Sequence, residues 1–168
     1  MPISPTTQSR TVSSSSGVSR RGSWQSNVSQ DEGEAAAKPP LKVFLVEDSV
    51  SVRERLMDFL SEPGEIEIVG YAETEAASVA RLAQERVDVA IVDLNLKAGS
   101  GFGVISALRG QYPSAPPTIV VLTNYAFPEY EVACRERGAD FFFDKSTQFG
   151  SVKTLLSDLR EQKAQRGN

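Results

Sequence analysis

Val87-Asp88-Val89-Ala90-Ile91-Val92-Asp93 is almost wholly apolar and then stops at an acid. A strand with water on one side alternates polar and apolar residues. A near-continuous β-branched run marks a strand covered on both faces, at the centre of a parallel sheet. Parallel neighbours need crossover connections, usually helices. The flanking sequence should therefore alternate short apolar runs with helical patterns.

It does so in both directions. Upstream, Leu41-Lys42-Val43-Phe44-Leu45-Val46 is a short apolar run ending at Glu47-Asp48. A helical pattern follows, with Val52, Leu56, Phe59 and Leu60 on one face and a stop at Pro63-Gly64. Ile66 to Gly70 alternates as an edge strand should, and Glu73 to Glu85 carries Ala76, Val79, Ala80 and Ala83 at helical spacing. Downstream, Gly101 to Arg109 has Phe102, Ile105 and Leu108 three apart, and Pro116-Pro117 introduces a buried strand over Thr118 to Leu122. Phe127 to Arg137 reads as a helix with Pro128 in its first turn and Gly138 at its end. Its apolar stripe is weak, so it should be the least firmly packed helix. Ala139 to Phe143 is the fifth strand, and Phe149, Val152, Leu155, Leu156 and Leu159 stripe a final helix. Right-handed crossovers then predict an α/β, doubly wound, five-stranded parallel sheet in the order 2-1-3-4-5. Ligands bind such sheets outside the carboxyl ends of the strands, at the switch point between strands 1 and 3.

The 168-residue chain has room for this one domain and a remainder. Residues 1–30 hold ten serines and few large apolar groups, which predicts a disordered tail. Ala35-Ala36-Ala37-Lys38-Pro39-Pro40 reads as a linker. The expected division is a tail and linker over 1–40, the domain over 41–163 and a C-terminal end over 164–168.

Composition excludes several functions. The part after Pro40 has 14 basic and 19 acidic residues, a net charge of −5 and a poor match to nucleic-acid phosphates. Cys134 is the single cysteine and there is no histidine, so an intrachain disulfide, a His-based zinc site and a His-activated nucleophile are ruled out. No apolar run is long enough to span a membrane, and Arg20-Arg21 is followed by polar residues rather than a signal h-region. The expected compartment is the cytoplasm. Arg20-Arg21-Gly22-Ser23 looks like a basophilic kinase site, but Ser-rich disorder alone accounts for it.

The chemistry gathers at the strand ends. Strand 1 ends in Glu47-Asp48, strand 3 in Asp93, strand 4 in Thr123 and strand 5 in Lys145. Each has a structural explanation when taken alone: Glu47-Asp48-Ser49 and Ser51-x-x-Glu54 as helix caps, Asp93 as a turn residue, Thr123 as a strand former, Lys145 as a surface lysine. Independent explanations give no reason for all of them to fall at the carboxyl ends of four strands. Three acids in one crevice need a compensating charge. Mg²⁺, a hard cation that favours oxygen ligands, supplies it and lets a phosphoryl group approach Asp93. Asp93 would attack phosphorus as a carboxylate nucleophile. Lys145 would pair with a phosphoryl oxygen and Thr123 would donate to another.

Val-Phe-Leu-Val-Glu-Asp (43–48), Val-Ala-Ile-Val-Asp-Leu-Asn-Leu-Lys-Ala-Gly-Ser-Gly (89–101), Val-Val-Leu-Thr-Asn (120–124) and Gly-Ala-Asp-Phe-Phe-Phe-Asp-Lys (138–145) together strongly resemble the receiver domains of bacterial two-component response regulators, over about Lys42 to Leu159. The resemblance implies the flavodoxin-like receiver fold. It implies Asp93 as phosphoacceptor, Asp48 as direct Mg²⁺ ligand, Glu47 acting through water, and the Asn95 backbone carbonyl on the metal. Thr123 and Phe142 match the switch pair, and Lys145 the lysine of the site. Asn95, Asn124 and Tyr125 stand where side chains govern access and water attack on the acyl phosphate. Ser146 replaces the proline that many relatives carry after this lysine with a cis peptide.

The expected donor is a sensor histidine kinase or histidine phosphotransfer protein. With about ten residues after Leu159, output is expected through a partner-binding face of the fourth helix, fifth strand and fifth helix, or by relay of the phosphoryl group. Neither nucleic acid nor membrane is an expected partner. The alternative is a non-phosphorylated receiver-like binding module. A metal-dependent phosphatase is disfavoured by Asn95, where those enzymes carry a second acid, and a flavin protein by the lack of a Ser/Thr-rich loop after strand 1.

Overall fold

The chain's structure, a computed structural model, describes residues 38–111 and 116–166. The expected disordered tail before residue 38 and the kinase-like site at Arg20-Arg21-Gly22-Ser23 lie outside the described residues. The elements run β1 Leu41–Val46, α1 Val50–Leu60, β2 Ile66–Ala72, α2 Glu75–Leu82, β3 Val89–Val92, α3 Gly101–Gln111, β4 Thr118–Thr123, α4 Pro128–Glu136, β5 Phe141–Asp144 and α5 Phe149–Arg166. The strands form one parallel sheet in the order β2-β1-β3-β4-β5, as the alternation predicts.

Strand periodicity builds a core on each face. Phe44 and Val46, Ala90 and Val92, Ile119 and Val121 face α2, α3 and α4, where Leu82, Ile105, Leu108 and Cys134 meet them. The alternate residues Val43 and Leu45, Val89 and Ile91, Val120 and Leu122 face α1 and α5, against Leu56, Leu60, Val152 and Leu156. Each fully buried Leu or Ile contributes roughly 1.5–3 kcal/mol.

Two helical faces differ from the sequence expectation. In α2 the buried residues are Ser78 and Leu82, whereas Ala76, Ala80 and Ala83 are exposed. Alanine favours helix on any face, so an alanine stripe is a poor guide to burial. The one large apolar group, Leu82, sets the face, and the Ser78 hydroxyl is satisfied by donating to the Thr74 carbonyl at 2.7 Å. In α1, Phe59 is 38% exposed and leans on Phe149, while Arg53 is buried in line with Leu56 and Leu60.

The expected ends of α4 are found. Pro128 opens it, Gly138 beyond its end takes φ +97°, and Cys134 is its single buried residue. Burial pushes the Cys134 thiol up to about 11 from its ordinary 9.0. A thiol raised in the folded state stays protonated there while the unfolded thiol ionises. Its contribution to stability is therefore complete below about pH 9 and is lost as pH rises toward about 11. We predict alkylation at pH 8 at least about a hundredfold slower in the native protein than in denaturant. Similar rates in both would contradict the packing of α4.

Candidate functional site

The carboxyl ends of β1, β3, β4 and β5 converge because their registers align. The Asp93 N–H donates to the Val46 carbonyl at 2.9 Å, and the Glu47 N–H to the Ala72 carbonyl at 3.0 Å. The Lys145 N–H donates to the Thr123 carbonyl at 2.9 Å. These main-chain bonds continue the sheet one step past the strands, where Glu47, Asp93 and Lys145 meet.

Lys145 lies at its centre. Its Nζ donates to Glu47 Oε2 and to Asp93 Oδ2, each at 2.6 Å. Glu47 and Asp93 are buried, and the Lys145 side chain is only 6% exposed. Carboxylate oxygens of Glu47, Asp48 and Asp93 lie within 4.8 Å of one another. The Asn95 N–H donates to Asp93 Oδ1 at 3.3 Å, and the Ser49 N–H to Glu47 Oε1 at 3.1 Å. Helix capping does not account for the acids: Ser49 occupies the N-cap position of α1, but no side chain caps that helix.

Three carboxylates facing one ammonium leave two negative charges uncompensated. Burial drives the Glu47 carboxyl above its ordinary 4.5, against the pull of Lys145 and with the push of Asp93. An all-oxygen acidic donor set with a two-charge deficit fits a hard divalent cation such as Mg²⁺. The raised Glu47 value sets the sign of a pH effect. Below about 4.5 the group is protonated in both states, and above that it must ionise at a cost in the folded state. Metal-free protein therefore loses stability through this group as pH rises from 4.5 through the folded value. Glu47→Gln should gain melting temperature relative to wild type as pH goes from 4 to 8; a constant difference would contradict this.

The remaining residues lie on β4, on β5 and on the loops after β3 and β4. Thr123 is fully buried, and its hydroxyl accepts the Tyr125 N–H at 3.2 Å. Phe142 is half-buried against the core on the α3–α4 side. Asn95, Asn124 and Tyr125 are exposed on the loops after β3 and β4. No described peptide is cis, so the Lys145–Ser146 bond is trans. Asp144 Oδ1 accepts both the N–H and the hydroxyl of Ser146, which fixes the turn and holds the Asp144 carboxyl below its ordinary 3.8.

Three positions were not singled out by the sequence reading. Arg53 is 6% exposed; its Nη1 donates to the Glu47 carbonyl at 3.1 Å and pairs with Glu73 Oε1 at 3.2 Å, with the guanidinium over the Tyr71 ring at 4.1 Å. Glu75 Oε2 accepts the Ser100 N–H at 2.8 Å, and its own N–H donates to the Ala98 carbonyl at 3.0 Å, tying the loop after Asp93 to α2. The signal for Arg53 was available: it shares its helical face with Leu56 and Leu60. Nothing in the local sequence marks Glu73 or Glu75.

Sheet order, crevice and charge define a doubly wound α/β protein with an acidic switch-point site. A family model described as "Response regulator receiver domain" matches residues 43–157. The chain belongs to that family. It is 36% identical over 119 residues to the DNA-binding transcriptional activator DevR/DosR of Mycobacterium tuberculosis, covering 71% of this chain and 54% of that protein. It is 31% identical over 124 residues to the transcriptional regulatory protein BtsR of Escherichia coli, covering 74% and 50%. The matched region thus spans about half the length of these relatives. The receiver domain of NarL from Mycobacterium tuberculosis superposes with a TM-score of 0.65 at 22% identity over 73% of this chain and 98% of that one. The response regulatory domain of mrkE from Klebsiella pneumoniae does so with a TM-score of 0.63 at 25% identity over 74% and 99%. Among the described residues, no helix is long and apolar enough to cross a membrane.

Proposed function

We propose that this chain is a phosphoacceptor of a two-component system, taking a phosphoryl group on Asp93. The observation that carries the reading is Lys145 bridging Glu47 and Asp93 beside Asp48. Asp48 and Asp93, with the Asn95 carbonyl and Glu47 through water, are the groups that would hold Mg²⁺. When bound, the cation offsets the charge of the acids and of the incoming phosphoryl oxygens. An Asp93 carboxylate oxygen forms the O–P bond as the P–N bond to the donor imidazole breaks, and the electron pair leaves with the imidazole. Lys145 exchanges a carboxylate partner for a phosphoryl oxygen. The Thr123 hydroxyl leaves the Tyr125 N–H to donate to another, and Phe142 turns into the space released. Asn95, Asn124 and Tyr125 then set access of water to the acyl phosphate.

The donor is a phosphohistidine on a sensor kinase or a phosphotransfer protein, and the setting is the cytoplasm. Output runs through the face of α4, β5 and α5, or by relay to another histidine. On α4 and the loop before it, Tyr125, Phe127, Tyr130 and Val132 are exposed, which suits a protein partner better than a nucleic acid. The acidic domain is not assigned DNA binding, although the name of one relative includes it.

The test is incubation with acetyl phosphate and Mg²⁺ followed by intact mass. One added phosphoryl group is expected with Mg²⁺ and none with the metal chelated. No addition in either condition would favour a non-phosphorylated binding module.

A further inference from the structure

Arg53 is a buried charge that the phosphoryl chemistry does not use. A guanidinium is costly to bury, and it persists where its planar fork meets several fixed partners at once. Here Nη1 reaches both the Glu47 carbonyl and Glu73, and the guanidinium carbon stands over the Tyr71 ring at 4.1 Å. These partners come from the end of β1, the segment after β2, and β2 itself. Glu47 and Asp48 sit in a turn whose Ser49 makes no side-chain cap, and whose own Glu47 carboxylate accepts the Ser49 N–H; the bond from Arg53 to the Glu47 carbonyl ties that turn's main chain to α1. Glu73 also pairs with Lys97 at 3.6 Å, on the loop that carries Asn95.

We propose that Arg53, neutralised and aimed by Glu73, is the positioning residue for the Glu47-Asp48 acid pair and thereby sets the affinity of the site for a divalent cation. This rests on the reading of the acids as a Mg²⁺ site. A bare cation near Mg²⁺ would weaken binding by repulsion, so the Glu73 partner contributes alongside the guanidinium. Groups that orient ligands from behind typically change metal affinity by about 10–100-fold when replaced.

Arg53→Lys keeps the charge and removes the fork. Glu73→Gln keeps the fork and removes the neutralising charge, at a position exposed enough to leave folding intact. Mg²⁺ is titrated into full-length wild type and each variant by isothermal calorimetry, with melting temperature recorded with and without Mg²⁺. Arg53→Lys should bind about tenfold more weakly and Glu73→Gln about threefold more weakly. Both should show a smaller Mg²⁺-induced rise in melting temperature, a readout that general loosening of α1 would not shift. If either folded variant binds Mg²⁺ as wild type does, the positioning role is overturned. If wild type binds no Mg²⁺, the reading of the acid site itself fails instead.

Discussion

Asp93→Asn should take up no phosphoryl group from acetyl phosphate under conditions that label wild type, a fall of at least about a thousandfold in rate. The substitution conserves shape, so the amide can still accept the Asn95 N–H now bonded to Asp93 Oδ1. What it removes is the anionic oxygen that attacks phosphorus, and an amide has no comparable nucleophile. It also removes one of the three crowded negative charges round Lys145. The variant should therefore be at least as stable as wild type without metal, and should bind Mg²⁺ more weakly. Loss of labelling with a retained or raised melting temperature separates a missing nucleophile from a damaged fold. Labelling that persists in Asp93→Asn would move the acceptor to another residue.

Gly101→Ala should be the most damaging single-methyl change near the site. A Cβ built on Gly101 meets the Asp93 carbonyl oxygen and comes within 2.8 Å of Leu94 Cα, so the obstacles are main chain and cannot swing aside. The Gly101 N–H donates to the Leu94 carbonyl at 3.0 Å, which draws the start of α3 tightly under the end of β3. Relieving the clash must move the loop that carries Asp93 and Asn95. Forced overpacking of this kind costs about 1–3 kcal/mol, or roughly 3–18 °C in melting temperature for a domain of this size. Phosphorylation should fall with it, because the displaced atoms belong to the acceptor's own backbone. Gly110→Ala is the control: nothing lies within 4 Å of a Cβ there, and it should be close to neutral or slightly stabilising. Equal melting temperatures for the two variants would contradict the close approach.

Sheet order was legible because central strands buried on both faces leave an unmistakable run, as at Val87 to Val92, and because crossover handedness removes most alternatives. Glu47, Asp48, Asp93, Thr123 and Lys145 were legible through topology, since the end of a strand is a place in the fold. Less visible was anything set by packing alone. The face of α2 follows from where Leu82 meets the sheet, not from the spacing of its alanines. β2 runs on to Ala72 because Phe44, Leu45 and Val46 pair with Gly70, Tyr71 and Ala72 beyond a register shift after Val43, and alternation alone does not reveal a shift. Glu73 and Glu75 look like ordinary acids at a helix start, and only their partners Arg53 and Ser100, far off in sequence, make them distinctive.

Beryllofluoride, which mimics a phosphoryl group on a carboxylate, probes the crevice without chemistry. By fluorine NMR, full-length protein should give a bound signal only when Mg²⁺ and beryllofluoride are both present, and Asp93→Asn should give none. Absence of a bound signal in wild type, or the same signal in Asp93→Asn, would contradict a shared acid, lysine and threonine pocket built for phosphoryl transfer.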